Sequence, residues 1–291
     1  MKKKTNFLLV VLLLLCIAAF IGYRALDAMR TDSRAPEIQI GDQIPEISVN
    51  DPEEALLQGI HATDDRDGDV TGSVVVENIA ILDSTGRIQV SYAAFDKAGN
   101  VAKAQREALY TDYVSPRFTL SAPLLYRSGV NFDVLKTVGA TDLIDGDIQH
   151  RVRATSLDDS IISTPGTHNV QFQVSNSLGD ITTVVLPVEV YETMNYTATL
   201  SLNTYLVYLH TGEKFNPNHY LDTFTLAGTK TLLDGRLPNG YSLQTVGELH
   251  TDTPGVYPLQ YFLTYTETSA TNSQYSREYT AYSKLIVIVE G

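Results

Sequence analysis

Ala62-Thr63-Asp64-Asp65-Arg66-Asp67-Gly68-Asp69-Val70 returns seventy-eight residues later as Ala140-Thr141-Asp142-Leu143-Ile144-Asp145-Gly146-Asp147-Ile148. Both copies read A-T-D-x-x-D-G-D followed by an aliphatic residue. A period longer than most solenoid units implies tandem small domains, each building its own core. The match extends beyond the acidic stretch. Pro36-Glu37-Ile38-Gln39-Ile40 aligns with Pro116-Arg117-Phe118-Thr119-Leu120, and Phe95-Asp96-Lys97-Ala98-Gly99-Asn100-Val101 with Ser175-Asn176-Ser177-Leu178-Gly179-Asp180-Ile181, both at a shift of eighty. The change of shift marks a two-residue insertion in a loop. A third, diverged copy follows: Thr251-Asp252-Thr253-Pro254-Gly255-Val256-Tyr257 echoes Ile162-Ser163-Thr164-Pro165-Gly166-Thr167-His168.

Beyond Arg30 the hydrophobic pattern has a period of two. Ile88-Gln89-Val90-Ser91-Tyr92-Ala93, Val170-Gln171-Phe172-Gln173-Val174 and Tyr257-Pro258-Leu259-Gln260-Tyr261 each alternate, as half-buried strands do. Gly, Pro, Asn and Asp clusters interrupt the chain at the rhythm of a β-sandwich. Each copy closes on a hairpin, with turns at Asp96–Asn100 and Asn176–Asp180 where Asp and Asn bond their own backbone and Gly supplies positive φ.

Lys2-Lys3-Lys4 precedes an uncharged stretch from Thr5 to Tyr23. At ~1.5 Å per residue a bilayer-spanning helix takes roughly 17–25 residues, and lysines before the span orient its N-terminus to the cytoplasm. The expectation is an uncleaved transmembrane anchor. A cleaved signal peptide and lipidation at Cys16 are the competing readings. All three place the body of the protein outside the cytoplasm. Cys16 is the single cysteine, so disulfides are excluded from the rest.

The net charge is −13, of which residues 1–30 contribute +4 and the remainder −17. Such a surface repels nucleic acid, which is discounted as a partner, and attracts divalent cations. Asp64, Asp65, Asp67 and Asp69 bunch four carboxylates in six residues, with Asp142, Asp145 and Asp147 as a sparser copy. Two readings stand for these seven residues. One is turn chemistry that shapes the loop. The other is a Ca²⁺ site of hard oxygen ligands, although the EF-hand pattern is absent. No other cofactor is implied. None of the six histidines has a zinc-type spacing, and no nucleophile elbow, S-x-x-K or phosphate-binding loop occurs. No catalytic residue is expected, and the chain does not read as an enzyme.

The A-T-D-x-x-D-G-D-V motif followed by G-x-x-x-V-x-Y-x-A-x-D-x-A-G-N-x-A resembles the bacterial immunoglobulin-like repeats of Gram-positive surface proteins. Similar modules are appended to some pesticidal crystal proteins and relate to the hyalin-repeat group. The first copy fits from Pro36 to about Tyr113. The second fits with Asn176 for Asp and Asp180 for Asn, and the third keeps only the final hairpin pattern. The resemblance implies spacers, adhesin stalks and accessory domains rather than one activity.

The expected architecture is all-β: three tandem Ig-like β-sandwiches after an N-terminal transmembrane helix. Residues 1–31 form the cytoplasmic stub, anchor and juxtamembrane segment. The domains span 32–113, 114–193 and 194–291. Eleven of the seventeen tyrosines fall in the third domain, which suits partner or sugar recognition, although Tyr also sits well on strands. The expected function is a membrane-anchored extracellular binding or adhesion module. The third domain is its tip, meeting a protein or glycan through Tyr261, Tyr265, Tyr275 and Tyr279 beside the Glu267–Gln274 loop. The alternative is a purely structural spacer or scaffold of a cell-envelope complex. The expected location is the cell membrane, single-pass, with a cytoplasmic N-terminus and extracellular bulk.

Overall fold

The computed structural model describes residues 2–157, 164–194, 196–268 and 276–291. Residues 1–113 and 114–291 form two compact units.

The first unit opens with helix α1 (Lys2–Arg30). Among the described residues no helix is long and apolar enough to cross a membrane. The expected transmembrane anchor, the membrane as a partner and the single-pass cell-membrane location are therefore corrected.

Seven strands follow: β1 (Glu37–Ile40), β2 (Glu46–Ile47), β3 (Ile60–Asp64), β4 (Gly68–Asp69), β5 (Val75–Ile81), β6 (Arg87–Phe95) and β7 (Val101–Tyr110). They pair as β1-β3-β4 and β2-β7-β6-β5. The period-two pattern of β6 buries Ile88, Val90, Tyr92 and Ala94, while β3 buries Ile60 and Ala62. These apolar faces give a sandwich its core. The Tyr92 hydroxyl donates to the Leu56 carbonyl at 2.8 Å and accepts from Arg106 Nε at 2.9 Å, so the buried phenol is satisfied. Gly86 has φ +87°, and a Cβ there would run into the Tyr110 carbonyl. Only glycine closes this turn.

The second unit repeats the plan twice. Strands β8 (Arg117–Leu120), β9 (Leu125–Arg127), β10 (Val138–Asp142), β11 (Gly146–Asp147), β12 (Arg153–Ser156), β13 (Gly166–Ser175) and β14 (Ile181–Tyr191) pair as β8-β10-β11 and β9-β14-β13-β12. Strands β15 (Ala198–Leu202), β16 (Leu206–His210), β17 (Leu221–Leu226), β18 (Thr229–Leu232), β19 (Tyr241–Val246), β20 (Gly255–Thr268) and β21 (Ser276–Glu290) pair as β15-β17-β18 and β16-β21-β20-β19. In all three sets the first, third and fourth strands make one sheet, and the second, seventh, sixth and fifth the other. The third copy thus keeps the topology its sequence has largely lost.

Within the second unit the two sandwiches share a core. Leu206 and Ile286 are buried among Phe118, Phe172 and Val188. The Phe118 amide donates to the Tyr208 hydroxyl at 2.9 Å, and the Arg117 guanidinium lies 4.9 Å from the Tyr208 ring centre. Lys284, itself buried, donates to the Pro187 carbonyl at 3.2 Å and lies 3.6 Å from Glu189.

Candidate functional site

The motif carboxylates mostly fold their own loop. Asp64 Oδ1 accepts the Arg66 and Asp67 amides, each at 2.9 Å, and Asp142 Oδ1 accepts the Ile144 and Asp145 amides at the same distances. Gly68 and Gly146 then turn the chain with φ of +74° and +70°. Asp67 and Asp145 reach across to the facing hairpin and accept the Lys97 amide at 2.7 Å and the Ser177 amide at 2.6 Å. Asp69 and Asp147 accept the Thr71 and Gln149 amides, each at 2.9 Å. The Thr71 hydroxyl and then its amide hold Asp69 below the ordinary carboxylate range. Asp65 is at the surface, 2.7 Å from Arg34 Nη1. The seven residues therefore do not gather at one point.

Asp64 instead meets two residues outside the motif. One carboxylate oxygen from each of Asp32, Asp64 and Asp96 lies within 4.8 Å of the others. Asp64 and Asp96 are each 8% exposed and Asp32 is half-buried. Asp96 sits where β6 turns into β7. Its Oδ1 accepts the Asn100 amide at 2.8 Å and its Oδ2 the Asn100 carboxamide at 2.7 Å. Burial opposes ionisation of Asp96, but the bonds from Asn100, Gly99 and Ala98 outweigh it and leave the carboxyl below its ordinary value. Asn100 Nδ2 also reaches the Asp32 carbonyl at 3.3 Å, which ties the segment before β1 to this corner. Arg66 Nε stands 3.8 Å from Asp32 Oδ2. Asp64 Oδ2 is buried without a hydrogen-bond partner. This all-oxygen set could hold a hard cation. Asp32 and Asp96 escape a reading of the acidic motif. The signal for Asp96 lies in the hairpin alignment, where it faces Asn176.

The tyrosines of the third sandwich divide. Tyr261 is 0% exposed and its hydroxyl donates to the Pro217 carbonyl at 3.3 Å. Burial pushes its phenol pKa far up. Tyr261 is thus a core residue, because its position on β20 points between the sheets, and it is not available to a partner. Tyr275 and most of the Glu267–Gln274 loop lie outside the described residues. Tyr265 and Tyr279 line an open cavity of about 410 Å³ with Tyr241, Phe224, Thr231 and Glu267. The Tyr241 and Tyr265 rings are 4.8 Å apart and those of Tyr265 and Tyr279 6.5 Å, the latter stacked at 17°. The Tyr279 hydroxyl donates to Glu267 Oε2 at 3.3 Å. The cavity's rim includes Ala227 of the β17–β18 turn, which replaces the acidic loop of the other two copies. Ala227 and Gly228 have φ of 48° and 85°, the left-handed pair of a two-residue hairpin.

No family model matches the chain. A 123-residue stretch, 42% of the chain, is 30% identical to an uncharacterised 81.3 kDa protein of Acholeplasma phage L2, and spans 15% of that protein. Among solved structures, the M60 catalytic domain with the CBM51-1 and CBM51-2 domains of Clostridium perfringens ZmpB is 13% identical. The match covers 87% of this chain and 30% of that one, with a TM-score of 0.20. CBM51-2 in complex with GlcNAc and INT domains of the same protein matches at 13% identity over 87% of this chain and 44% of that one, with a TM-score of 0.21. The protocadherin gamma B4 extracellular domain matches at 11% identity over 79% and 45%, with a TM-score of 0.19. The chain spans less than half the length of each of these proteins. Likenesses at such TM-scores carry no weight for function.

Proposed function

We infer that the chain is a non-catalytic binding protein built from three tandem immunoglobulin-like sandwiches, at 32–113, 114–193 and 194–291, and that the third binds a saccharide in the Tyr241–Tyr265–Tyr279 groove. The observation that carries this reading is the ring stack itself. Half-buried rings in a row offer flat apolar faces to the C–H faces of a sugar. Glu267 and the Thr229 and Thr231 hydroxyls at the rim can pair with its hydroxyl groups. The shared core of the second and third sandwiches supports a structural spacer as the second reading, since it stiffens that part of the chain.

The test is binding of the full chain to an array of hexose, N-acetylhexosamine and sialic-acid oligosaccharides. The chain has no Trp, so tyrosine emission follows the titration of any oligosaccharide retained. Tyr265→Ala and Tyr279→Ala are each expected to weaken binding by tenfold or more, about 1.4 kcal/mol. Binding unchanged in both variants would remove the groove from the reading. An array on which nothing is retained would leave the spacer.

A further inference from the structure

We propose that Asp32, Asp64 and Asp96 form a Ca²⁺ site at the corner of the first sandwich, and that Asn176 in the second sandwich takes over the role of the ion. The argument starts from one atom. Asp64 is more than nine-tenths buried, and its Oδ1 is committed to two turn amides while its Oδ2 has no partner. A buried carboxylate oxygen left unpaired is costly. The carboxylates of Asp96 and Asp32 deepen that cost by like-charge repulsion.

The second sandwich shows how the same corner is relieved without an ion. Asn176 stands where Asp96 stands, and its Nδ2 donates to Asp142 Oδ2 at 3.2 Å. That acceptor is the counterpart of the unpartnered Asp64 oxygen. Asn176 Oδ1 meanwhile accepts the Leu178 and Asp180 amides at 3.1 and 3.0 Å, so the turn is preserved. The counterpart of Asp32 at a shift of eighty is Asp112, whose carboxylate accepts from the Ser48 hydroxyl at 2.6 Å and the Val49 amide at 2.8 Å. One corner therefore has three carboxylates and an unmet acceptor. The other has Asp142 with a donor in place.

The chemistry selects the ion. All the side-chain donors are carboxylate oxygens, which suit a hard cation. A spread of up to 4.8 Å between ligand atoms is twice a Ca–O distance of ~2.4 Å, whereas Mg²⁺ demands a tight octahedron at about 2.0–2.1 Å. Half-buried Asp32 opens the corner to water, which completes a shell of six to eight oxygens. The nearby cations are otherwise engaged or distant. Lys97 Nζ is on Asp67 at 3.2 Å, and Arg66 Nε stands 3.8 Å from Asp32 Oδ2.

The test uses the full chain, stripped with chelator and then titrated with CaCl₂ or MgCl₂. Melting and titration calorimetry are the readouts. Ca²⁺ is expected to raise the melting of the unit at 1–113 by several degrees, with saturable heat at one ion per chain, and Mg²⁺ to do markedly less. The double variant Asp96→Asn with Asn100→Asp rebuilds the Asn176 and Asp180 arrangement without changing net charge. It should lose the Ca²⁺ response yet melt in chelator no lower than the parent. A parent indifferent to Ca²⁺ overturns the site. A swap variant that keeps the full response moves the ion elsewhere and overturns it equally. Equal shifts with Mg²⁺ overturn the assignment to calcium.

Discussion

The first and second sandwiches carry corresponding acidic loops on corresponding strands, and their corners part at the hairpin residue that faces the leading aspartate, Asp96 in one and Asn176 in the other. In both, the leading aspartate caps its own turn, the second ties the loop to the facing hairpin, and the third receives an amide of the next turn. In the second, Asn176 gives the leading aspartate its last hydrogen bond. In the first, Asp96 cannot, because an ionised carboxylate has only acceptors. The shared residues are those that build the loop, and the differing residue alters what the finished corner can hold. The third sandwich extends the contrast: its acidic loop has shrunk to a two-residue turn, and an aromatic groove stands beside it.

The comparison breaks most directly at Asn176. Asn176→Asp removes the donor to Asp142 Oδ2 and sets a second carboxylate against it in a buried place. The expected cost is about 2–3 kcal/mol, read from the denaturant midpoint of the second unit. Millimolar Ca²⁺ should recover little of it, because the counterpart of Asp32 is bonded to Ser48 and Val49. A loss under about 0.5 kcal/mol would mean that the amide is not what relieves the second corner.

Acid should separate the two corners next. Burial works against ionised Asp96, but the Asn100, Gly99 and Ala98 bonds prevail and its folded pKa is depressed. Asp145 is depressed against burial by Ser177 and Arg151. A carboxylate with a depressed folded pKa contributes stability that is present above its unfolded value, about 3.9, and is lost as pH falls through the folded value. Each unit should therefore weaken below about pH 4 in chelator. Amide exchange can follow the two units separately. Asp145→Asn should flatten the acid loss of the second unit alone, and the Asp96–Asn100 swap should reduce that of the first. Ca²⁺ should move the loss to lower pH only in the first unit, since protons and the ion compete for the same oxygens.

Much of this architecture is legible in the sequence. The two strong copies and the alternation on β6 and β13 announce β-sheet repeats, because a period of two leaves few other folds. The third copy's topology is less legible, since its loop lost every acidic residue. The union of the second and third cores is not legible at all. Leu206 and Ile286 obey the same alternation as any strand residue, and periodicity says that a side chain is inward without saying whose interior receives it. Nor does alternation give depth: Tyr261, Leu263 and Tyr265 lie on one face of β20, yet the first two are fully buried and Tyr265 is half-buried. The acidic motif drew attention to neighbouring carboxylates, whereas the corner is assembled from residues spaced about thirty-two apart, Asp32, Asp64 and Asp96. Only the folded sheets bring them together.

The smallest expected effect concerns the second aspartate of each loop, where the copies differ in degree. Asp145 pairs with Arg151 Nη1 at 2.6 Å, the side chains being 15% and 34% exposed. Asp67 pairs with Lys97 Nζ at 3.2 Å, with the lysine 81% exposed. Both aspartates keep a hairpin amide when the cation is removed, from Ser177 and from Lys97 itself. Arg151→Ala should then cost about 1 kcal/mol, and Lys97→Ala no more than about 0.3 kcal/mol, because water and salt screen an exposed lysine and its order costs side-chain entropy. Raising the salt to molar levels should shrink both losses. Asp67→Ala and Asp145→Ala, which also release the hairpin amide, should cost more than either cation variant. If Lys97→Ala proves as damaging as Arg151→Ala, the lysine supports the first corner through more than its exposed ion pair, and the two loops differ in construction as well as in their final donor.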